Sequence, residues 1–171
     1  MRWFSSMSQK DYFALLDQPQ NYAVDSSSLE AVKNTLLTRL HPDRFVNCSA
    51  LEKRLAEQMS VQINEAYRTL TDDLLRAQYL CRLRGFDVNE HRPMPADFLM
   101  RQMQAHEALE ACEQSHDETM RFALLREVQL SQKRLIETIR KAFDDDHDDR
   151  AAYEATRELM FVQKLLAQIQ P

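Results

Sequence analysis

Glycine is almost missing from this chain: Gly85 is its one glycine among 171 residues. Runs of β-branched residues are also scarce, and together these shortages argue for an all-helical protein. No apolar stretch approaches the length of a membrane-spanning helix. The first residues, Met1-Arg2-Trp3-Phe4-Ser5-Ser6, lack the apolar run of a secretory signal. Cys48, Cys81 and Cys112 are widely spaced with no Cys-x-x-Cys pair, so neither a zinc site nor a disulfide framework is written here. A reducing cytoplasm is the default compartment. An excess of basic charge is lacking too. The formal net charge of −5 argues against a nucleic-acid ligand, because phosphate binding needs clustered Lys and Arg.

What is present is helical periodicity in two blocks. Residues 1–10 read as a tail that includes Trp3, and Met7 is an alternative start. Residues 11–17 form a short helix, broken by Pro19 and Asn21. Ser27 and Glu30 fit a capping box opening a second helix, in which Leu29, Val32, Leu36 and Leu40 recur at helical spacing. Ser49 and Glu52 repeat the pattern for a third helix over 50–71, with Leu55, Met59, Ala66 and Leu70 on one face. A fourth covers 73–84 and stops at Gly85. The stretch 86–95 has two prolines and no period, which marks a linker between a first domain (11–85) and a second (96–171). Helices over 96–114, 117–143 and 150–169 carry apolar stripes. These are Phe98, Ala105, Leu109 and Cys112; Leu125, Val128, Leu135, Ile139 and Ala142; and Ala155, Leu159, Val162, Leu166 and Ile169. They predict an antiparallel three-helix bundle.

Between the second and third helices lies His41-Pro42-Asp43. Proline inside a helical pattern ends the helix, so this tripeptide sits in a stiffened loop joining two antiparallel rods. A loop tip with a ring, a fixed bend and a carboxylate reads as a recognition surface. Upstream stands Asp11-Tyr12-Phe13-Ala14-Leu15-Leu16, and downstream Ile63-Asn64-Glu65-Ala66-Tyr67-Arg68-Thr69-Leu70. This order resembles a J-domain, the module by which co-chaperones engage ATPase chaperones of the heat-shock-seventy family.

The helix over 96–114 has more apolar residues than one buried face needs. With Phe98 at the centre of the core stripe, Leu99, Met100 and Met103 fall on the far side, with Glu107 among them and Gln104 alongside. Such a face either packs against the amino-terminal half or is a docking surface, for which flexible methionine is suited. Phe161 is a comparable off-stripe residue on the last helix. A J-like domain, the segment Arg76–Gly85, a proline-containing linker and a three-helix bundle are similar to HscB-type co-chaperones of iron–sulfur cluster biogenesis.

That resemblance implies two partners and no catalytic centre of the chain's own. His41, Pro42 and Asp43 would contact an HscA-type chaperone ATPase, with Arg44, Lys33 and Arg39 supplying positive charge around them. Leu99, Met100, Met103, Gln104, Glu107, Ala111 and Phe161 would hold an IscU-type scaffold protein. Gln104 and Ala111 stand where bacterial relatives often carry acids, which leaves Glu107 as the surest acid of the rim. J-domains usually carry basic residues on the outer face of the second helix. Here that face centres on Thr38, Asn34 and Ala31. No resident cofactor or metal is expected. The run Asp144-Asp145-Asp146-His147-Asp148-Asp149 lacks the glycine and terminal glutamate of a calcium loop and reads as a solvated turn with an aspartate capping the last helix. His91, His106 and His116 have no ligand-like spacing. Two alternatives stand beside this reading: a helical metal-binding protein built on the acidic turn and histidines, and a J-protein delivering unfolded clients generally.

Overall fold

Capping chemistry sets the helix starts. Residues 11–90 and 92–169 are described by a computed structural model, and every regular element among them is helical. The expectations for the tail, Trp3, Met7 and His91 lie outside the described residues. The chain divides into two units, Met1–Leu80 and Cys81–Pro171.

In the first unit, α1 (Tyr12–Leu15) is capped by Asp11, whose carboxylate accepts the Ala14 N–H at 2.8 Å. Helix α2 (Ser26–Arg39) is capped by Asp25, which accepts from the N–H groups of Ser27 and Ser28 at 2.9 and 3.3 Å. This corrects the capping box expected from Ser27 and Glu30. Ser27 is already inside the helix, whereas Asp25 precedes the first helical residue and reaches two orphan donors. Helix α3 (Ala50–Thr71) does carry a capping box. Ser49 Oγ accepts the Glu52 N–H at 3.3 Å, and Glu52 Oε2 accepts the Ser49 N–H at 2.9 Å. The Ser49 bonds hold the Glu52 carboxyl below the usual carboxylate range.

Helix α3 buries Ala56, Met59, Ile63, Ala66 and Leu70 at three–four spacing and packs against α2, on whose side Leu29 and Leu40 are also buried. Burying each large aliphatic contributes about 1.5–3 kcal/mol. Helix α4 (Asp73–Leu83) follows after Asp72. Its Arg76 is buried, donating to the Leu70 carbonyl at 2.7 Å and to Asp73 at 2.5 Å, with its guanidinium 4.5 Å from the Tyr22 ring centre. The Tyr22 hydroxyl donates to the Asp73 carbonyl at 3.2 Å, and burial pushes its pKa up. The two terminal nitrogens of this buried cation thus meet acceptors and its plane lies over a ring, while its buried Nε has no hydrogen-bond partner.

The division between the units falls within α4. Gly85 ends the helical run with φ +84°, a left-handed conformation suited to glycine, and the Phe86 N–H returns to the Cys81 carbonyl at 2.9 Å. Cys81, from the stretch expected to belong to the first domain (11–85), and Phe86 and Arg92, from the expected linker (86–95), make contacts inside the second unit. The Cys81 thiol donates to Thr156 Oγ1 at 3.7 Å, and burial pushes that thiol up to about 11. Phe86 stacks on Tyr153 with centroids 5.2 Å apart, and Arg157 donates to the Arg92 carbonyl at 2.5 Å.

Helices α5 (Ala96–Ser115), α6 (Glu118–Arg140) and α7 (Asp149–Ile169) form the three-helix bundle. Its core joins Leu109, Leu124, Val128, Val162, Leu165, Leu166 and Ile169. Asp117 caps α6 by accepting from Thr119 and Met120. Arg121 Nε and Nη2 clasp the Ile169 carbonyl at 2.9 and 2.6 Å, so the start of α6 caps the end of α7. Helix α6 stops at Arg140 and widens into a π-helical turn, Lys141–Asp145, that buries Ala142 and Phe143. Asp148 accepts from the N–H groups of Arg150 and Ala151, as the sequence led us to expect of an aspartate before the last helix.

Candidate functional site

Two separate exposed features answer to the sequence expectations, one on each unit. The first is the turn between α2 and α3. Leu40 is buried and ends α2, its N–H returning to the carbonyls of Leu36 and Leu37. Pro42 then opens a short 3-10 turn, Pro42–Phe45, a position where its missing N–H costs nothing. His41, Pro42, Asp43 and Arg44 are all exposed. His41 Nδ1 lies 3.4 Å from the Asp43 N–H and 3.5 Å from Asp43 Oδ2. A neutral ring accepts from the N–H; a protonated ring pairs with the carboxylate. In either state the Asp43 side chain, 86% exposed, keeps most of its acceptor sites facing solvent.

The basic residues expected around this loop divide. Arg39 and Arg44 are exposed. Lys33 is half-buried, its ammonium 4.0 Å from the centre of the Tyr67 ring, so part of its charge is engaged within the unit. Ala31, Asn34 and Thr38 are exposed and uncharged, and Thr38 donates to the Asn34 carbonyl.

The second feature is the outward face of α5. Phe98, Leu109 and Cys112 point into the bundle, while Leu99, Met100 and Met103 are 44%, 63% and 64% exposed. Gln104, Glu107 and Ala111 are exposed along the same helix. Phe161 of α7 is 41% exposed and meets Phe98 edge to face at 5.8 Å, which brings it beside the α5 residues. This adjacency of α5 and α7 is tertiary; no spacing in the sequence expresses it. Positive charge rims the aromatic pair, with Lys164 Nζ 5.7 Å from the Phe161 ring and the Arg101 guanidinium 5.9 Å from that of Phe98. Arg101 donates to Asp97 at 2.8 Å, which holds the Asp97 carboxyl low. It stands 4.0 Å from Glu158, whose carboxyl is pushed up, chiefly by burial.

Sequence reasoning did not single out Arg101, Glu158 or Lys164. Their charge signs were visible, but their convergence around Phe98 and Phe161 was not. The acidic turn also resolves into ordinary pairings. Arg140 bridges Glu137 and Asp145, Lys141 lies 3.9 Å from Asp146, and Asp149 lies 3.6 Å from Arg84. Among the described residues, no group of three His, Cys, Asp or Glu side chains is gathered as a metal site would need, and no helix is long and apolar enough to cross a membrane.

Comparison with known proteins adds independent findings. Residues 94–170 match the family described as HSCB C-terminal oligomerisation domain. A co-chaperone protein HscB homolog of Bordetella avium is 38% identical over 170 residues, covering 96% of this chain and 100% of that protein. The corresponding protein of Cupriavidus taiwanensis is 41% identical over 157 residues, covering 91% and 89%. Among solved structures, human co-chaperone protein HscB superposes with a TM-score of 0.87 at 29% identity, covering 95% of this chain and 81% of that one. The chaperone HscB from Vibrio cholerae gives a TM-score of 0.81 at 31% identity, covering 94% and 96%.

Proposed function

The chain belongs to the HscB family of co-chaperones, and from that premise we propose that it is a two-ended adaptor between an HscA-type chaperone ATPase and an IscU-type iron–sulfur scaffold. The first unit acts as a J-domain. Its His41-Pro42-Asp43 turn binds the chaperone's hydrolysis-competent state better than its resting state, which is the only way a non-catalytic contact can accelerate a partner's turnover. Asp43 accepts a charge-assisted hydrogen bond from a partner arginine, and Pro42 fixes the angle at which the acid is offered. Arg44 and Arg39 add local positive charge; Lys33 adds less, because Tyr67 holds it. With Ala31, Asn34 and Thr38 uncharged, long-range attraction through the outer face of α2 is weak, and the loop itself carries recognition.

The second unit holds the scaffold through Leu99, Met100, Met103 and Phe161, flanked by Gln104, Glu107 and Ala111. ATP hydrolysis occurs in the chaperone, and this chain holds no resident cofactor. The work takes place in the cytoplasm. The observation that carries the proposal is that the tripeptide turn and the Leu99–Met103 face are both exposed and lie on different units, one surface for each partner. An ATPase assay tests it. Adding the chain to an HscA-type chaperone is expected to raise ATP turnover, and adding an IscU-type scaffold as well to raise it beyond the sum of the two separate effects. Turnover unchanged by the chain overturns the proposal.

A further inference from the structure

Beside the docking face, the bundle leaves a groove of about 210 Å³ between α5, α6 and α7. Its floor is apolar: Ala105 and Ala108 of α5 face Leu124 and Val128 of α6 and Val162 and Leu165 of α7. The groove exists because α5 offers alanines where larger side chains would fill the space; well-packed interiors leave few voids of this size. It is too small for a free organic ligand, whose sites run to about 300–1,000 Å³, and suits a single inserted side chain.

Two observations say what enters it. The groove is continuous with the docking face, since Gln104 lines it and Phe98, another lining residue, is the edge-to-face partner of Phe161. Its polar rim is negative. Glu127 and Glu158 stand on it, and the lining cation Arg101 is bonded closely to Asp97 at 2.8 Å and only loosely to Glu158 at 4.0 Å. Resting on the docking role of the second unit, we propose that this groove is the anchor socket of the scaffold interface. It takes one aliphatic or methionine side chain of the scaffold, with a neighbouring Lys or Arg of the scaffold paired to Glu158. The exposed ridge of Leu99, Met100 and Met103 then supplies area, and the socket supplies register.

Calorimetric titration of the full chain with an IscU-type scaffold tests this. Ala108→Leu fills the socket and is expected to weaken binding at least tenfold (order of magnitude), as loss of a central anchor pocket does. Glu158→Gln keeps shape, removes the charge, and is expected to weaken binding by roughly three- to tenfold and to flatten its salt dependence. Circular dichroism and the thermal midpoint establish that each variant is folded. Unchanged affinity for folded Ala108→Leu, or for Glu158→Gln, overturns the socket. If Met100→Ala with Phe161→Ala weakens binding while both socket variants do not, the docking face stands and the socket alone falls. If none of the variants weakens binding, the docking reading itself falls. Self-association of the chain that Ala108→Leu abolishes assigns the groove to a second copy and overturns the scaffold as occupant.

Discussion

Replacing Met100 and Phe161 by alanine separates the proposed binding role of the α5–α7 surface from its structural role. Full burial of such side chains is worth about 1.5–3 kcal/mol each. Met100 is 63% exposed and Phe161 41% exposed, so a partner that covers both recovers those fractions. The sum is about 1.5–3 kcal/mol, or roughly 10- to 150-fold in scaffold Kd. The costs to the fold differ. Met100 makes little of its contact within the bundle, and alanine is the better helix former, so Met100→Ala leaves the thermal midpoint unchanged. Phe161 is more than half buried against Phe98. Truncating it removes about 2 kcal/mol of fold stability and lowers the midpoint by roughly 4–8 °C. Isothermal titration at a temperature where all variants are folded reads the binding term alone. Met100→Ala by itself is expected to weaken scaffold affinity about fivefold. Unchanged affinity for the double variant refutes the assignment of this surface.

Asp43→Asn is expected to abolish most stimulation of the chaperone's ATPase, at least about thirtyfold in effective affinity, while stability stays within about 0.5 kcal/mol because the side chain is exposed and meets only the exposed His41 ring; retained stimulation counts against the loop mechanism. Asp25→Ala is expected to cost about 1 kcal/mol in urea unfolding and Ser27→Ala only a few tenths, because Asp25 is the residue that caps α2; the reverse order would restore the capping box first read from the sequence. Glu158→Gln is expected to steepen no part of the stability curve and to remove one slope from it. The folded carboxyl, pushed up by burial and by Asp97 and Glu154 against the pull of Arg101, keeps its proton to higher pH than the unfolded one. The folded state therefore binds more protons as pH rises from the ordinary glutamate range through the raised value, and wild-type stability falls across that window. Glu158→Gln loses that fall, so it is as stable as the wild type in acid and more stable at neutral pH, by thermal unfolding against pH; an unchanged difference between the two across the window counts against it.

Local chemistry in this chain was legible wherever one short segment decides the outcome. Ser49 and Glu52 form the expected capping box, Gly85 adopts the left-handed stop, and Pro42 turns the chain out of α2. The capping error at α2 arose because Asp25 and Ser27 both suit helix starts, and only the backbone shows which one precedes the first helical turn. Periodicity located the bundle stripes of Phe98, Val128, Leu159 and Val162, all buried. It passed over the π-helical turn at Lys141–Asp145, since a wider turn keeps Ala142 and Phe143 inward just as a regular one would have done. At the candidate sites, the loop residues could be read because they are contiguous. The meeting of Phe161 with Phe98, the approach of Arg101 to Glu158 and the gap over Ala105 and Ala108 are tertiary facts carried by no single segment.

The outward residues of α5 have no explanation in folding. A side chain that is mostly exposed in the folded state and exposed in the unfolded one contributes little to the difference between them, so Met100 and Met103 add almost nothing that Gln or Lys at those positions would not. They carry a cost instead, because contiguous exposed apolar surface promotes association. Leu99, Met100, Met103 and Phe161 lie on one unit, where Arg101 and Lys164 stand near the Phe98 and Phe161 rings and Arg101 approaches Glu158. A surface whose composition is unfavourable for the isolated molecule and neutral for its stability is accounted for by what covers it. The first unit has the complementary arrangement, an exposed acid on a stiff turn whose removal costs the fold nothing. Each unit thus places the side chains proposed to meet a partner outside its own cohesion, and variants of either are expected to weaken one proposed contact while leaving the molecule folded.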